Sequence, residues 1–248
     1  MKAICLLCKK PNISACDFFN KFKKFKVFFM IDDNLNSYNN YINKYKNIKF
    51  LKISNQKCIN MGFYNSAYEI MKHRNVSNVI SWDKALCYFS LYNYFDFIWF
   101  MEDDVFFYNE ETLLSIHNKH KNADLVSTEF NINNVYNKNE WHWNVIDVPN
   151  EYKNCCANLM VCCIRLSKKF IDKIKEHVNK YKKLYLIEAL IPTLVRYNKL
   201  KYKIDKRLII SWNTKFNKLN RYFIYHPLKL INYYNLFRNK LLYYETIY

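Results

Sequence analysis

Three consecutive carboxylates, Glu102-Asp103-Asp104, stand between two apolar and aromatic blocks, 97–101 and 105–107. Burying so many negative charges unpaired would be costly, and a bound divalent cation is the simplest compensation. In an extended chain Glu102 and Asp104 point to the same side, so both can face one ion while Asp103 points elsewhere. The alternative is an acidic loop, or a cap for a helix predicted over 110–119.

The elements that would position these acids follow from the apolar runs. The sequence predicts strands over 3–8, 27–31, 48–53, 97–101, 125–130 and 159–165, and helices over 14–22, 37–45, 110–119 and 168–181. A further helix begins near Ser81, which can cap it. Continuous apolar strands separated by helices predict an α/β fold, with a mostly parallel central sheet and helices on both faces. Ligands bind beyond the carboxyl ends of such strands, where both Asp32-Asp33 and the acidic triplet stand.

Composition limits how a phosphate could be bound. The chain of 248 residues has one glycine, Gly62, which excludes the P-loop and the Rossmann fingerprint. Metal ions, cationic side chains or helix N-termini would have to replace them. The net charge of +18 is typical of proteins that bind nucleic acid or a membrane surface. The competing explanation is the codon bias of an AT-rich genome, because the basic residues are 33 Lys against 6 Arg.

The nine cysteines raise the question of whether the chain works in a reducing or an oxidising compartment. The apolar run at the start is too short for a signal peptide, and no stretch approaches the roughly 18 apolar residues of a membrane span. We therefore expect a cytoplasmic chain with free, mostly buried thiols. No linker rich in Gly, Ser or Pro interrupts the sequence, which predicts a single domain over 1–248.

Four segments, in the same order along nearly the whole chain, resemble the GT-A-fold glycosyltransferases. The strand that ends in Glu102-Asp103-Asp104 is similar to their metal-binding Asp-x-Asp motif, and the segment 80–86 resembles the helix before that strand. Glu188, within 186–193, resembles an acceptor-side acid. The segment 225–229 resembles a His-Pro-x-Lys signature. The resemblance is to metal-dependent members of the kind found in AT-rich microbial and large-virus genomes.

This resemblance implies transfer of a sugar from a nucleotide-diphosphate sugar, with a UDP-sugar favoured, to a hydroxyl of a glycan or glycoconjugate. It implies dependence on Mn²⁺ or Mg²⁺, and an inverting reaction if Glu188 is the base. Residues 1–107 would form the nucleotide-sugar half, and residues 108–248 the acceptor half with a C-terminal metal and phosphate element. No nucleic-acid partner is expected, while peripheral contact with a membrane stays open.

The resemblance also assigns the metal and donor residues. Glu102, Asp104 and His226 would hold the metal, and an imidazole ligand suits Mn²⁺ better than Mg²⁺. Lys229 would reach the donor phosphates if its stretch is helical. An ordinary surface or core histidine is the alternative for His226.

The remaining donor residues have alternatives of their own. Asp32 would accept hydrogen bonds from the base or ribose, or would simply be a turn residue. Asp83 and Lys84 would hold the ribose and phosphate, or would form an intrahelical pair. Asp103 is expected on the donor side.

On the acceptor side, Glu188 is the expected base. Its apolar surroundings predict a raised pKa, and Pro192 would kink or begin a helix beside it. The alternative is a carboxylate paired with Lys182 or Lys183. Trp141 and Trp143 would stack on the acceptor sugar, or would pack in the core.

Two rival functions remain at this stage. A nucleotidyl or phosphoryl transferase, or a nuclease, would use two metal ions on Asp32, Asp33, Asp103 and Asp104. A non-catalytic nucleic-acid-binding module would explain the charge but not the acidic strand end. The apolar stripe Leu230, Tyr234, Phe237 and Leu241 predicts a core-facing helix, with a membrane-surface helix as the alternative.

Overall fold

The computed structural model describes residues 1–67, 77–92, 94–129, 131–132, 137, 141–211 and 219–227. Lys229 and the predicted C-terminal helix with its apolar stripe lie outside these ranges, as does Phe130 at the end of one predicted strand.

The described ranges hold twelve strands and seven α-helices. The strands are β1 (Lys2–Cys8), β2 (Lys26–Ile31), β3 (Ile48–Leu51), β4 (Phe97–Glu102), β5 (Phe106–Phe107), β6 (Leu125–Ser127), β7 (Asn131–Ile132), β8 (Ala157–Asn158), β9 (Cys163–Ser167), β10 (Tyr202–Ile204), β11 (Leu208–Ile210) and β12 (Ile224–His226). The helices are α1 (Ile13–Phe19), α2 (Asn39–Lys44), α3 (Asn55–Asn60), α4 (Ser81–Leu91), α5 (Glu110–Lys119), α6 (Lys168–Tyr181) and α7 (Ile187–Tyr197).

Seven strands form the central sheet, in the order β10-β6-β9-β4-β1-β2-β3. Every neighbouring pair is parallel except the two that involve β9, which runs antiparallel to β4 and β6. The predicted mostly parallel α/β sheet is therefore confirmed. Three strands differ from their predictions. β3 and β6 end earlier, at Leu51 and Ser127, and within the run 159–165 only the last three residues belong to β9, which begins at Cys163. β10 lies where the sequence predicts no strand.

Helices cover both faces of the central sheet. Alternate side chains of β1 enter two different apolar cores: Ala3, Cys5 and Leu7 the first, and Ile4, Leu6 and Cys8 the second. Buried residues of α4, α6 and α7 complete the first core, and those of α1 and α5 complete the second. Burial on both sides explains why the strands are continuously apolar.

Side-chain caps fix the ends of several helices. The predicted bounds of α5 and α6 are confirmed, with Asn109 accepting a hydrogen bond from the Thr112 amide at 3.0 Å and Ser167 one from the Phe170 amide at 3.1 Å. The predicted Ser81 cap of α4 is wrong. Asp83 reaches back instead and accepts from the Ile80 amide at 2.8 Å.

Two further observations concern the whole described chain. In the ranges that the structure describes, no helix has the length and apolar character needed to cross a membrane. All nine cysteines are free thiols, and eight of them are buried.

Candidate active site

The acidic triplet lies where β4 leaves the sheet. Glu102 is the last residue of β4, and the Val105 amide donates to the Glu102 carbonyl at 3.1 Å, which closes a tight turn over Asp103 and Asp104. β5 begins directly after Val105 and is buried, so the carboxylates are held at the rim of the core. The expected extended conformation is wrong, since Asp103 and Asp104 form a turn. The turn nevertheless brings Glu102 and Asp104 to the same partner.

That partner is His226, which a second sheet carries to the acids. β12 pairs antiparallel with β5 and ends at His226. The imidazole Nε2 lies 3.2 Å from Asp104 Oδ1 and 3.9 Å from Glu102 Oε2. His226 therefore ends a strand, while the helical stretch that the sequence analysis required for Lys229 lies outside the described residues.

The tautomer of His226 follows from its other nitrogen. Nδ1 lies 3.0 Å from the Ser211 carbonyl, which can only accept, so Nδ1 carries the hydrogen. Nε2 therefore faces the two carboxylates with either a lone pair or a second proton. Burial alone would lower the pKa of His226, but Asp104 and Glu102 raise it above its ordinary value. The site thus attracts positive charge at Nε2, from a proton or a metal ion.

The carboxylates themselves disfavour full ionisation. Burial, followed by repulsion from Asp104, raises the pKa of Glu102. Burial and its two acidic neighbours raise the pKa of Asp103 to about 6. Asp104 Oδ1 is buried, and among the described residues no hydrogen bond of good geometry reaches it. A protonated His226 or a bound cation would compensate the charge of this oxygen.

Two residues that the sequence did not single out complete the cluster. Single ligand atoms of Glu102, Cys162 and His226 all lie within 4.8 Å of one another. The indole nitrogen of Trp82 donates to Glu102 Oε1 at 3.1 Å and orients that carboxylate. Cys162 stands 60 residues from Glu102 in sequence, and only the pairing of β4 with β9 brings it here. Carboxylate, imidazole and thiol groups together form a donor set that fits a divalent transition metal.

Asp32 lies at the same edge, because β1 aligns Leu7 with Glu102 on one side and Cys8 with Ile31 on the other. The side chain of Lys84 is completely buried, and its Nζ lies 2.9 Å from Asp32 Oδ1. The same Nζ donates to the Asp32 carbonyl at 2.6 Å. Lys84 therefore holds the loop after β2. The alternative of an intrahelical pair is not what the structure shows, since the partner of Lys84 lies in another element.

Asp83 has a structural position. It is fully buried and accepts hydrogen bonds from the Ser66 amide at 3.0 Å, the Ser66 hydroxyl at 2.8 Å and the Ile80 amide. Burial raises its pKa to about 7. The predicted donor contact is corrected accordingly, because these three bonds use the carboxylate to cap α4 and to fasten the segment at Ser66.

Glu188 lies in the first turn of α7 and lines a pocket of about 300 Å³ with Trp141, Asn158 and Met160. Burial, and then the charge of Glu102, raises the pKa of Glu188 to about 7. The alternative partner Lys183 is paired instead with Asp147, at 2.7 Å.

Pro192 lies inside α7 and begins no new helix. Of the two expectations for Pro192, a kink and a new helix start, the second is wrong.

The two predicted tryptophans, Trp141 and Trp143, differ in their exposure to solvent. Trp141 is 37% exposed and lines the pocket with Glu188, whereas Trp143 has no exposed surface and belongs to the core. Their rings meet edge to face, with centroids 5.1 Å apart. Trp141 also has a φ of 50°, a left-handed conformation that is unusual for a bulky residue. The pair of predicted stacking residues is thus corrected to one ring at the pocket and one ring that supports it.

No protein-family model and no curated protein matches this chain. Among solved structures, the chain is similar to the galactosyltransferase LgtC in complex with donor and acceptor sugar analogs, at 13% identity, 85% coverage of this chain, 76% of the other, and a TM-score of 0.48. It is also similar to mouse xyloside xylosyltransferase 1, at 10% identity, coverages of 86% and 88%, and a TM-score of 0.41. It is similar as well to residues 1–349 of S. aureus TarS, at 15% identity, with 83% of this chain and 58% of the other covered and a TM-score of 0.36. All three TM-scores lie below 0.5.

Proposed function

We propose that this chain is a glycosyltransferase that moves a sugar from a nucleotide-diphosphate sugar to an acceptor hydroxyl. The observation that carries the proposal is the convergence of Glu102, Asp104 and His226 beside a pocket that Glu188 lines. A cation site and a carboxyl group with a pKa of about 7 then stand on the two sides of one reacting centre. We include in the proposal a single catalytic domain that works in a reducing cytoplasm, which the nine free thiols support.

On the donor side, Glu102, Asp104 and His226 would hold Mn²⁺, or Mg²⁺ in its place. When bound, the metal would supply positive charge that stabilises the departing diphosphate. Asp32 is partly exposed at the same sheet edge and would accept hydrogen bonds from the ribose or base. Asp103 would lie on the donor side, and Lys229 would contact the phosphates. We favour a UDP-sugar as the donor.

On the acceptor side, the pocket would take one sugar ring of a glycan or glycoconjugate. Trp141 would offer its exposed face to the sugar C–H groups, supported by the buried ring of Trp143. Glu188 would accept the proton of the attacking hydroxyl, since a carboxylate with a pKa near neutrality suits a general base. Direct attack opposite the leaving diphosphate would invert the anomeric configuration.

A two-metal phosphoryl transferase or nuclease is less well supported. It would need Asp32 and Asp33 as ligands to a second ion. Asp32 is instead paired with Lys84, and Asp33 accepts hydrogen bonds from Asn36 and from the Tyr38 hydroxyl, the latter at 2.6 Å. These bonds lower the pKa of Asp33, so its charge is already satisfied within its own loop.

A non-catalytic nucleic-acid-binding module would account for the charge of +18. It gives no purpose to buried carboxylates facing a histidine at the sheet edge. Binding of an oligonucleotide that falls steeply with salt, without any binding of a sugar nucleotide, would favour it.

Thermal unfolding with a panel of nucleoside diphosphates, each with and without Mn²⁺, tests the proposal. We expect one diphosphate to stabilise the chain only when Mn²⁺ is present, by about 2.7 kcal/mol at a hundredfold excess over its Kd. The matched nucleoside monophosphate and the Asp104→Asn variant are the controls. Absence of metal-dependent stabilisation by every diphosphate would contradict the proposal.

The stereochemistry has its own test. With an α-linked donor that stabilises the chain, NMR of the transfer product should show a β linkage. Retention of the α configuration would remove the inverting mechanism and the role of Glu188 as base, while the metal site would stand.

A further inference from the structure

Cys162 lies beside the ligand atoms of the candidate metal site. Its thiol is one of three groups, with Glu102 and His226, whose ligand atoms lie within 4.8 Å of one another, and its side chain is only 2% exposed. The backbone fixes this position, because the Glu102 amide donates to the Cys162 carbonyl at 2.9 Å. The antiparallel pairing of β4 and β9 begins at the next residue pair, Met101 with Cys163. The backbone that carries this thiol is therefore anchored to β4.

We propose that the Cys162 thiolate is a ligand of the metal site, together with Glu102 and His226. The inference rests on the proposed function for the presence of a metal, and it adds the identity of a sulfur ligand. On binding, the thiol gives its proton to solvent and its sulfur donates an electron pair to the cation. No oxidant or reductant is required.

A sulfur ligand changes which metal the site prefers. Thiolate and imidazole select transition metals such as Zn²⁺ and Co²⁺, whereas Mg²⁺ takes oxygen ligands. Replacing this sulfur by the oxygen of serine should therefore weaken transition-metal binding more than Mg²⁺ binding. Cys162 would act as a determinant of metal selectivity at a site whose remaining ligands suit many divalent ions.

X-ray absorption of the full chain loaded with one equivalent of Zn²⁺ tests the ligand directly. We expect one sulfur neighbour at about 2.3 Å, besides nitrogen and oxygen neighbours at about 2.0–2.2 Å. In the Co²⁺-loaded chain, the same sulfur should give a thiolate-to-cobalt charge-transfer band. The band should disappear in Cys162→Ser. The band should persist in Cys163→Ser, because the cluster of ligand atoms includes the thiol of Cys162 and not that of Cys163. Cys163 is adjacent in sequence and equally buried, which makes this variant the matched control.

Titration of the two variants tests selectivity. Cys162→Ser should lower Zn²⁺ affinity more than about tenfold and change Mg²⁺ affinity by less than about threefold. Stoichiometric metal with only nitrogen and oxygen neighbours would overturn the sulfur ligand and leave the proposed function standing. Failure of the wild-type chain to bind any metal would overturn both. If Cys162→Ser does not fold, the wild-type absorption spectrum alone decides.

Discussion

Lys84 Nζ lies 2.9 Å from Asp32 Oδ1, with the lysine side chain completely buried and the aspartate 29% exposed. The lysine also donates to Asn34 Oδ1 at 3.1 Å, so one ammonium fixes the loop after β2 against α4. The buried ammonium of Lys84 thus orients the carboxylate of Asp32, which is itself partly exposed to solvent. Lys84 therefore positions Asp32, whose carboxylate is the partly exposed member of the pair.

Lys84→Met should lower the free energy of unfolding by about 1–3 kcal/mol. The variant leaves Asp32 and Asn34 without their shared donor, and partial exposure of Asp32 keeps the loss below that of a fully buried pair. Urea denaturation measures it, and a double-mutant cycle with Asp32→Asn isolates the pair. Lys10→Met, which removes an exposed lysine from the loop after β1, should change stability by less than about 0.5 kcal/mol. Equal effects of both lysine variants would contradict the positioning role.

Asp104→Asn should abolish metal-dependent stabilisation and transfer while the metal-free chain keeps its stability. The substitution removes a charged ligand oxygen that is buried and poorly hydrogen-bonded, and it removes no core volume. We expect metal affinity to fall more than about tenfold by calorimetry, with thermal unfolding of the chelated protein unchanged. Asp103→Asn, one residue away in the same turn, should keep the metal. Normal metal binding by Asp104→Asn would remove Asp104 from the ligand set.

The sequence predicts six of the seven strands of the central sheet, because those six carry buried apolar residues, and it misses β10, whose three residues are all exposed. Runs such as 97–101 are continuously apolar, and the acids that follow mark the strand ends. The run 159–165 is the exception. It is equally apolar, but residues 159–162 form an irregular segment at the site and only residues 163–165 belong to β9. Composition alone cannot place a break inside such a segment. Its irregular residues and its strand residues are both mostly buried, and both are therefore apolar.

The site is predictable where its residues are adjacent in sequence, and less so where tertiary structure decides. Glu102 and Asp104 follow from one local motif. The proximity of Cys162 depends on strand pairing, which no short-range pattern encodes. Asp83 and Lys84 have residue types that suit ligand binding, yet both are completely buried and bind the protein itself. Residue chemistry indicates what a side chain can do, and burial decides whether a ligand can reach it.

Arg165 joins β9 to the end of α5. Its loss should destabilise the fold without changing metal affinity. It is fully buried in β9, and its guanidinium donates to the carbonyls of His117, His120 and Ala123 at 3.1, 2.6 and 2.8 Å. Arg165→Met should lower the free energy of unfolding by about 2–4 kcal/mol, as measured in urea, because three carbonyls at the end of α5 lose their donor.

Two variants control for this effect. Arg165→Lys keeps the charge but cannot reach three carbonyls, so it should rescue only part of the loss. Arg221→Met removes an exposed arginine and should cost less than about 0.5 kcal/mol. Full rescue by lysine would show that charge, and not the guanidinium fork, holds the end of α5.

The pKa of Glu188 leads to opposite pH effects on rate and on stability. Burial, and then Glu102, raises this pKa from 4.5 to about 7. Below pH 7 the native carboxyl is protonated and cannot act as a base, so the rate should rise with pH up to about 7. Because the native chain holds the Glu188 proton more tightly than the unfolded chain, the contribution of Glu188 to stability is fully present below pH 4.5 and is lost as pH rises through about 7.

Glu188→Gln should remove both pH effects and leave donor binding unchanged. We expect kcat to fall about 10²–10⁴-fold and the rate limb near pH 7 to vanish, since the amide cannot accept the hydroxyl proton. In chelated protein, urea denaturation at pH 4.5 and 8 should show that the variant loses less stability with rising pH, by roughly 1–2 kcal/mol after allowance for partial exposure of Glu188. Calorimetry with the nucleoside diphosphate and Mn²⁺ checks donor binding. A variant that turns over at nearly the wild-type rate, or that keeps the limb near pH 7, would exclude Glu188 as the base.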